Sequence, residues 1–204
     1  THTLNHEPAS MTLDCLGLIT AHGSSKGIPR KNIRTIAGRP LIAWTIGAAR
    51  ASWSLTRLVT PKGDAEIAET ARKPGCEVVD RPGDLAEDAT PTLPVVRQTI
   101  DRLPANEDYS PDIIVVLHST APLRQKHDID RCGWLLADGR ADSVVSVTRM
   151  PAHYHPSWQT AVNDWCLVQL NGSPLSAVVT RQQWLEKTYF RNWCGVCLLA
   201  SHPV

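Results

Sequence analysis

Residues 15–32 read CLGLITAHGSSKGIPRKN, and this stretch decides the expected fold. Its first six residues, Cys15–Thr20, form a short apolar run, which is followed by small and polar residues with two glycines. A buried strand that enters a loop has this pattern. We therefore predict a first β-strand that ends in a loop of small residues.

This loop has the composition of an anion-binding site. Gly23 and Ser24 allow backbone N–H groups to approach an anion, and Lys26, Arg30 and Lys31 supply positive charge nearby. We expect it to bind a polyphosphate. It contains neither the Walker A pattern nor the GxGxxG pattern of dinucleotide-binding proteins. On these residues alone, a solvated basic turn is an equally good interpretation.

Further along the chain, apolar runs alternate with segments of helical pattern. Pro40 precedes the first predicted helix, where proline fits the first turn. The predicted helices are residues 41–51, 64–72, 92–103 and 126–138, and the predicted strands after the first are 58–60, 77–79, 112–117 and 143–147. Such alternation predicts an α/β fold with a doubly wound, mostly parallel sheet.

The domain organisation follows from length and composition. A chain of 204 residues is long enough for one sizeable core. We expect residues 1–10 to be a disordered leader or the remnant of an expression tag, and residues 11–204 to form one domain. Residues 150–189 lose the alternation and gain Pro, His and Trp. We expect them to leave the sheet and cover a substrate or a partner subunit before a final strand near Gly195.

Several classes of function are disfavoured. A net charge of +1 gives no overall field that would attract nucleic acid or an anionic membrane. The longest aliphatic run, residues 113–117, is too short to span a bilayer. The six cysteines are scattered, and the single CxxC pair, Cys194 and Cys197, lacks a second pair for zinc. Buried thiols in a reducing compartment fit better, so we expect a cytoplasmic protein.

The loop and its continuation, IRTIAGRPLIAWTI at 33–46, resemble the acylneuraminate cytidylyltransferase (CMP-N-acetylneuraminic acid synthetase) family. Further segments resemble that family in order and spacing: 66–68, RPGDLAEDATPT at 81–92, STAPLR at 119–124, ADSVVSV at 141–147 and, less specifically, 155–156 and 181–192. The resemblance implies a nucleotide-diphospho-sugar transferase-like fold and a homodimer. It also implies transfer of CMP from CTP to a nine-carbon 2-keto sugar acid, with release of pyrophosphate and help from Mg²⁺.

The resemblance assigns roles by position. Lys26 and Lys31 would serve catalysis by holding phosphate charge. The nucleotide-binding residues would be His22, Gly23, Ser24, Ser25, Lys26, Arg30, Asn32, Arg81, Thr90 and Thr92, and the residues for the sugar acid His118, Arg181 and Asn192. Such chemistry depends on positioning and charge neutralisation and needs no protein nucleophile. The alternatives are a surface turn for Arg81 and helix caps for the two threonines.

Some positions depart from the family pattern. His22 and Ser24 replace an arginine and a glycine, Lys62 lies where the family has Ser-Thr-Asp, and Trp193 replaces a glycine. The family's late Asp-x-Asp metal element is not among the 204 residues, so the metal site stays unassigned. Two alternatives therefore stay open: a cytidylyltransferase with another acceptor, and a nucleotide-binding homologue without catalysis.

Overall fold

The computed structural model describes residues 13–21, 27–62, 65–80, 92–107, 109–139, 141–155, 159–163, 166–169 and 188–199. The strands are β1 Cys15–Thr20, β2 Thr35–Ile36, β3 Arg39–Pro40, β4 Arg57–Pro61, β5 Glu77–Val79, β6 Ile113–His118, β7 Ser143–Arg149, β8 Thr160–Asn163, β9 Cys166–Gln169 and β10 Tyr189–Leu199. The helices are α1 Leu41–Arg50, α2 Ala65–Arg72, α3 Thr92–Glu107 and α4 Lys126–Ala137. The chain divides into two compact units, residues 147–192 and the remainder.

The larger unit is built on a six-stranded sheet in the order β5-β4-β1-β6-β10-β7. Strand β1 pairs in parallel with both β4 and β6, and β4 pairs in parallel with β5. Strand β10 joins the other side of β6 in antiparallel orientation. The prediction of an α/β fold with a mostly parallel sheet is therefore confirmed.

Helices cover both faces of this sheet. On one face, Cys15 and Ile19 of β1 pack in a core with buried residues of α1, α2 and α4. On the other face, Leu16 and Leu18 pack with Val96 of α3. Because parallel strands buried on both faces need apolar residues at successive positions, the unbroken apolar run of β1 is explained. The sheet is doubly wound, as predicted.

The structure corrects three details. A hairpin of β2 and β3, which the sequence did not predict, turns at Ala37 and Gly38 with φ of 48° and 80°. Helix α3 continues past the predicted end at residue 103 to Glu107. A proline at position 104 removes one helical hydrogen bond but does not end the helix there. Strand β10 begins at Tyr189, earlier than the predicted strand near Gly195.

The smaller unit, residues 147–192, contains an antiparallel hairpin of β8 and β9. Within the same unit, the Asn192 amide donates to Thr148 Oγ1 at 3.0 Å, and the Met150 N–H donates to the Thr188 carbonyl. The predicted excursion, residues 150–189, lies inside this unit. Its role in dimerisation or substrate covering, and the single domain over 11–204, stay predictions.

Two further observations bear on the expected class of protein. Within the described part of the chain, no helix combines the length and the apolar character needed to cross a bilayer. Cys15, Cys76 and Cys132 are buried free thiols, which agrees with the prediction of buried thiols for these three. Burial is also the main reason that the pKa of Cys15 rises to about 11 and that of Cys76 to about 12. These thiols are therefore protonated at neutral pH.

Candidate active site

The sheet topology marks one place for a ligand. Strands β1 and β6 are neighbours in the sheet. From β1 the chain passes through α1 to β4, which lies on the β1 side of this pair, and from β6 it passes through α4 to β7, which lies on the β6 side. Ligands of open α/β sheets bind where the loops from two neighbouring parallel strands diverge in this way. Thr20 and His118 end these two strands and are partners in register. Thr20 Oγ1 and His118 Nδ1 lie 3.1 Å apart, so a hydrogen bond joins the two strand ends.

The turn at Lys31–Ile33 is attached to this place through Asn32. Residues Lys31–Ile33 form a 3₁₀ turn, in which Asn32 is only 3% exposed. The Ser119 hydroxyl donates to Asn32 Oδ1 at 2.5 Å, and Ser119 is also 3% exposed. Since buried polar groups are costly without partners, this bond holds the turn beside the end of β6. The structure thus brings Lys31 and Asn32 to the same strand end as His118.

The cations of the loop differ in their surroundings. Arg30 has a left-handed backbone, with φ of 54°, and its guanidinium forms an ion pair with Glu66 of α2. Both side chains are more than half exposed, so this pair is worth at most about 1 kcal/mol. The ammonium of Lys31 makes no hydrogen bond or ion pair with any of the described residues. It is the better placed of the two to meet an added anion.

An arginine that the sequence did not single out lies behind the site. Arg124 is 3% exposed, and its Nη2 donates to the His118 carbonyl at 2.9 Å. Its Nη1 donates to Thr45 Oγ1 of α1 at 3.3 Å. The sequence did carry a signal for this residue, because the STAPLR segment follows a buried strand directly. Polar residues at the end of such a strand lie where ligands bind.

Lys62, which departs from the family pattern, is paired with an acid. Its Nζ lies 2.9 Å from Asp80 Oδ1. Hydrogen bonding to this ammonium, followed by its charge, lowers the pKa of Asp80. The charge of Lys62 is therefore partly offset by a neighbouring carboxylate. Within the described ranges, no group of three or more His, Cys, Asp or Glu side chains could hold a metal ion. The expected Mg²⁺ is therefore assigned no ligands among these residues.

The remaining predicted residues lie elsewhere or outside the described ranges. Thr92 is the first residue of α3, and its alternative role as a helix cap stays a prediction. Asn192 belongs to the smaller unit, where it contacts Thr148. Eight residues lie outside the described ranges: His22, Gly23, Ser24, Ser25, Lys26, Arg81, Thr90 and Arg181. Their assigned roles stay predictions, as do those of the placed residues.

A cavity of about 580 Å³ lies apart from the residues predicted for substrate. Its walls come from the β2–β3 hairpin, α1 and residues 122–127. Arg124 lines it, but none of the predicted site residues does. The topology and the Asn32–Ser119 contact favour the strand ends as the candidate active site, and this cavity is a separate feature.

Comparison with known proteins decides the family. The sequence profile described as Cytidylyltransferase matches residues 16–192. The chain belongs to the cytidylyltransferase family. A solved structure of CMP:2-keto-3-deoxy-manno-octonic acid synthetase complexed with CTP has the same fold, with a TM-score of 0.65 at 14% identity. That match covers 92% of this chain and 74% of the other.

Two cytidylyltransferases show how the family varies. N-acylneuraminate cytidylyltransferase A of Danio rerio is 33% identical over 65% of this chain. The 3-deoxy-manno-octulosonate cytidylyltransferase of Acidobacterium capsulatum is 36% identical over 57% of this chain. The chain spans 30% of the length of the first and 49% of the second. Similar identity to enzymes named for two different acids leaves the acceptor undecided.

Proposed function

We propose that this protein transfers CMP from CTP to a nine-carbon 2-keto sugar acid of the sialic acid type. The anomeric oxygen of the acid forms a bond to the α-phosphorus. The bond from that phosphorus to the oxygen bridging to the β-phosphate breaks, and pyrophosphate and the hydroxyl proton are released. The observation that supports this proposal is the Asn32–Ser119 contact, which attaches the turn at Lys31–Ile33 to the residue that follows His118.

The proposed division of labour follows from this geometry. Lys31 and Asn32, with the loop residues before them, hold the triphosphate, and His118 lies toward the acid. Phosphoryl transfer needs substrates in line and phosphate charge neutralised, and both can be supplied without a covalent intermediate on the protein. Mg²⁺ belongs to the proposal as an ion bound mainly through the phosphates of CTP, which is its common mode in nucleotide sites. A homodimer in the cytoplasm is part of the same proposal.

A second candidate is transfer of CMP to a different acid. It is supported by the 36% identity to an enzyme named for 3-deoxy-manno-octulosonate, which has eight carbons. A third candidate, nucleotide binding without catalysis, is kept because of the departures from the family pattern.

Nucleotide binding is tested by thermal unfolding with CTP, ATP or GTP, each with Mg²⁺. A ligand at about 100 times its Kd adds about 2.7 kcal/mol of stability. For a chain of this size that raises the Tm by about 5–11 °C. We expect this shift with CTP and less than half of it with ATP or GTP. Lys31→Ala should reduce it, whereas Lys73→Ala should not, because Lys73 pairs with Glu69 on the exposed surface of α2. Equal shifts from all three nucleotides would contradict a cytidine site.

Catalysis is tested by pyrophosphate release from CTP and Mg²⁺ with a panel of acids. N-acetylneuraminate and related nine-carbon acids should give a signal above that of 3-deoxy-manno-octulosonate. A signal with the eight-carbon acid alone would support the second candidate. Stabilisation by CTP without release from any acid would support the third.

A further inference from the structure

We propose that Arg124 is a positioning residue that acts through His118, the side chain proposed to face the acid. Arg124 does not need to touch either substrate for this role. Its guanidinium joins the end of β6 to α1 and thereby sets where the His118 backbone lies. The kinetic part of this inference rests on the proposed function, whereas its spectroscopic part does not.

The first step in the argument is the burial of a permanent charge. A guanidinium stays protonated in proteins, and Arg124 is only 3% exposed. Moving a charge out of water costs several kcal/mol unless hydrogen bonds compensate for it. A leucine or methionine would fill the same place without this cost. The guanidinium therefore differs from an apolar side chain in joining two hydrogen-bond acceptors.

The second step is what this fork joins. Nη2 donates to the carbonyl of His118, the last residue of β6, at 2.9 Å. Nη1 donates to Thr45 Oγ1, and Thr45 is fully buried in α1. The His118 carbonyl also accepts the Ala121 N–H at 3.4 Å, and the Ala121 carbonyl accepts the Arg124 N–H at 3.2 Å. Hydrogen bonds thus close the turn from His118 to Arg124, and the contact with Thr45 attaches this turn to α1.

The third step is what this turn carries. The imidazole of His118 is bonded to Thr20, and the next residue, Ser119, is bonded to Asn32. A shift of the His118 carbonyl would move both contacts. Because a misplacement of about 1 Å in an active site can cost about a hundredfold in rate, the anchor is expected to matter for turnover.

The kinetic test compares Arg124→Lys with Arg57→Lys. Arg57 is a matched control, since it forms a two-bonded contact with Glu77 of β5 and lies at the amino end of β4, away from the carboxyl end of β6. Arg124→Lys should lower kcat/KM for the acid by about 10- to 100-fold and change the KM for CTP by less than about threefold. Arg57→Lys should change neither by more than about twofold. Equal losses toward acid and CTP would overturn the proposal, because general disturbance of the fold would explain them.

A double-mutant cycle tests whether Arg124 acts through His118. If it does, His118→Ala combined with Arg124→Lys should lower kcat/KM little more than His118→Ala alone. Independent effects that multiply would overturn the proposal. Thr45→Val, which removes the acceptor on α1 without changing the turn, should act in the same direction as Arg124→Lys but more weakly. It also serves if Arg124→Lys fails to fold.

The spectroscopic test does not require turnover. The ring nitrogen signals of His118, assigned by their loss in His118→Gln, report its contact with Thr20. They should shift in Arg124→Lys and in Thr45→Val, and stay in place in Arg57→Lys. Unchanged signals in both test variants would overturn the positioning role. If the wild-type protein converts no acid, the proposed function fails, and these signals alone decide the role of Arg124.

Discussion

Replacing Ser119 by alanine removes the contact that joins the basic loop to the strand end. The Ser119 hydroxyl and Asn32 Oδ1 are both in residues only 3% exposed, so water does not readily replace the lost partner. Leaving one buried polar group without its partner costs about 1–3 kcal/mol. For a domain of 150–250 residues each kcal/mol lowers the Tm by about 2–4 °C. Ser119→Ala should therefore lower the Tm by about 4–8 °C for a cost of about 2 kcal/mol.

The assay is urea unfolding of Ser119→Ala, Asn32→Ala and the double variant, with Ser110→Ala as the control. Ser110 is exposed, and its change should cost less than about 0.5 kcal/mol. Because the two side chains share one bond, the double variant should lose about 1 kcal/mol less than the sum of the single losses. If the single losses add to within about 0.3 kcal/mol, the two side chains do not act as a pair, and the loop is held by other contacts.

Three smaller predictions concern other parts of the larger unit. Ala37 has φ of 48°, so Ala37→Gly should raise the free energy of unfolding by up to about 1 kcal/mol. Gly38 has φ of 80°, so Gly38→Ala should lower the free energy of unfolding. Urea unfolding that ranks the two variants the other way would contradict the turn. Lys62→Met should return the lowered carboxyl pKa of Asp80 toward its ordinary value, as measured by carboxyl NMR. Stabilisation from this ion pair is present above the ordinary carboxyl pKa and is lost as the pH falls through the lowered pKa. An unchanged titration of Asp80 in the variant would contradict the ion pair. Burial and a neighbouring carboxylate raise the pKa of Cys76 to about 12. Cys76 should therefore resist alkylation at pH 8 in the folded protein and react in urea, as mapped by mass spectrometry. Rapid labelling of the folded chain would contradict the burial.

Most of the regular elements could be predicted because they carry local signals. Strand β1 is an unbroken apolar run before a glycine-containing loop, and α1 follows a proline with apolar residues at helical spacing. Helix α4 begins at Lys126, as predicted, and Asp128 Oδ2 in its first turn accepts the Gln125 N–H at 2.9 Å. Each of these signals lies within a few residues of the element that it specifies.

The missed features depend on contacts between distant segments or on unusual backbone. The β2–β3 hairpin has two-residue strands and places an alanine at positive φ, where Asn or Gly is the usual signal. The antiparallel direction of β10 is set by pairing with β6, some 80 residues earlier. The burial of Arg124 likewise depends on Thr45, which is 79 residues away. Propensity and periodicity do not report such pairings.

Sequence reasoning named some of the residues that the structure brings together at the candidate site. Family resemblance and the position of the loop after a strand led to Lys31, Asn32 and His118, which the structure brings to one strand end. The same reasoning did not lead to Ser119, Thr20 or Arg124, which are hydrogen-bonded to Asn32 or His118. Polar residues at the ends of parallel strands were the available signal, since such ends share one edge of the sheet.

Strands β7 and β10 are neighbours in the sheet, and residues 150–188 lie between them in sequence. The chain therefore leaves the larger unit and re-enters it at adjacent strands. Because the ends of this segment lie on adjacent strands, lengthening it would add little closure entropy, about 0.6 kcal/mol for each doubling of loop length. A change of length between β7 and β10 would therefore leave the order of the other strands in the sheet unchanged.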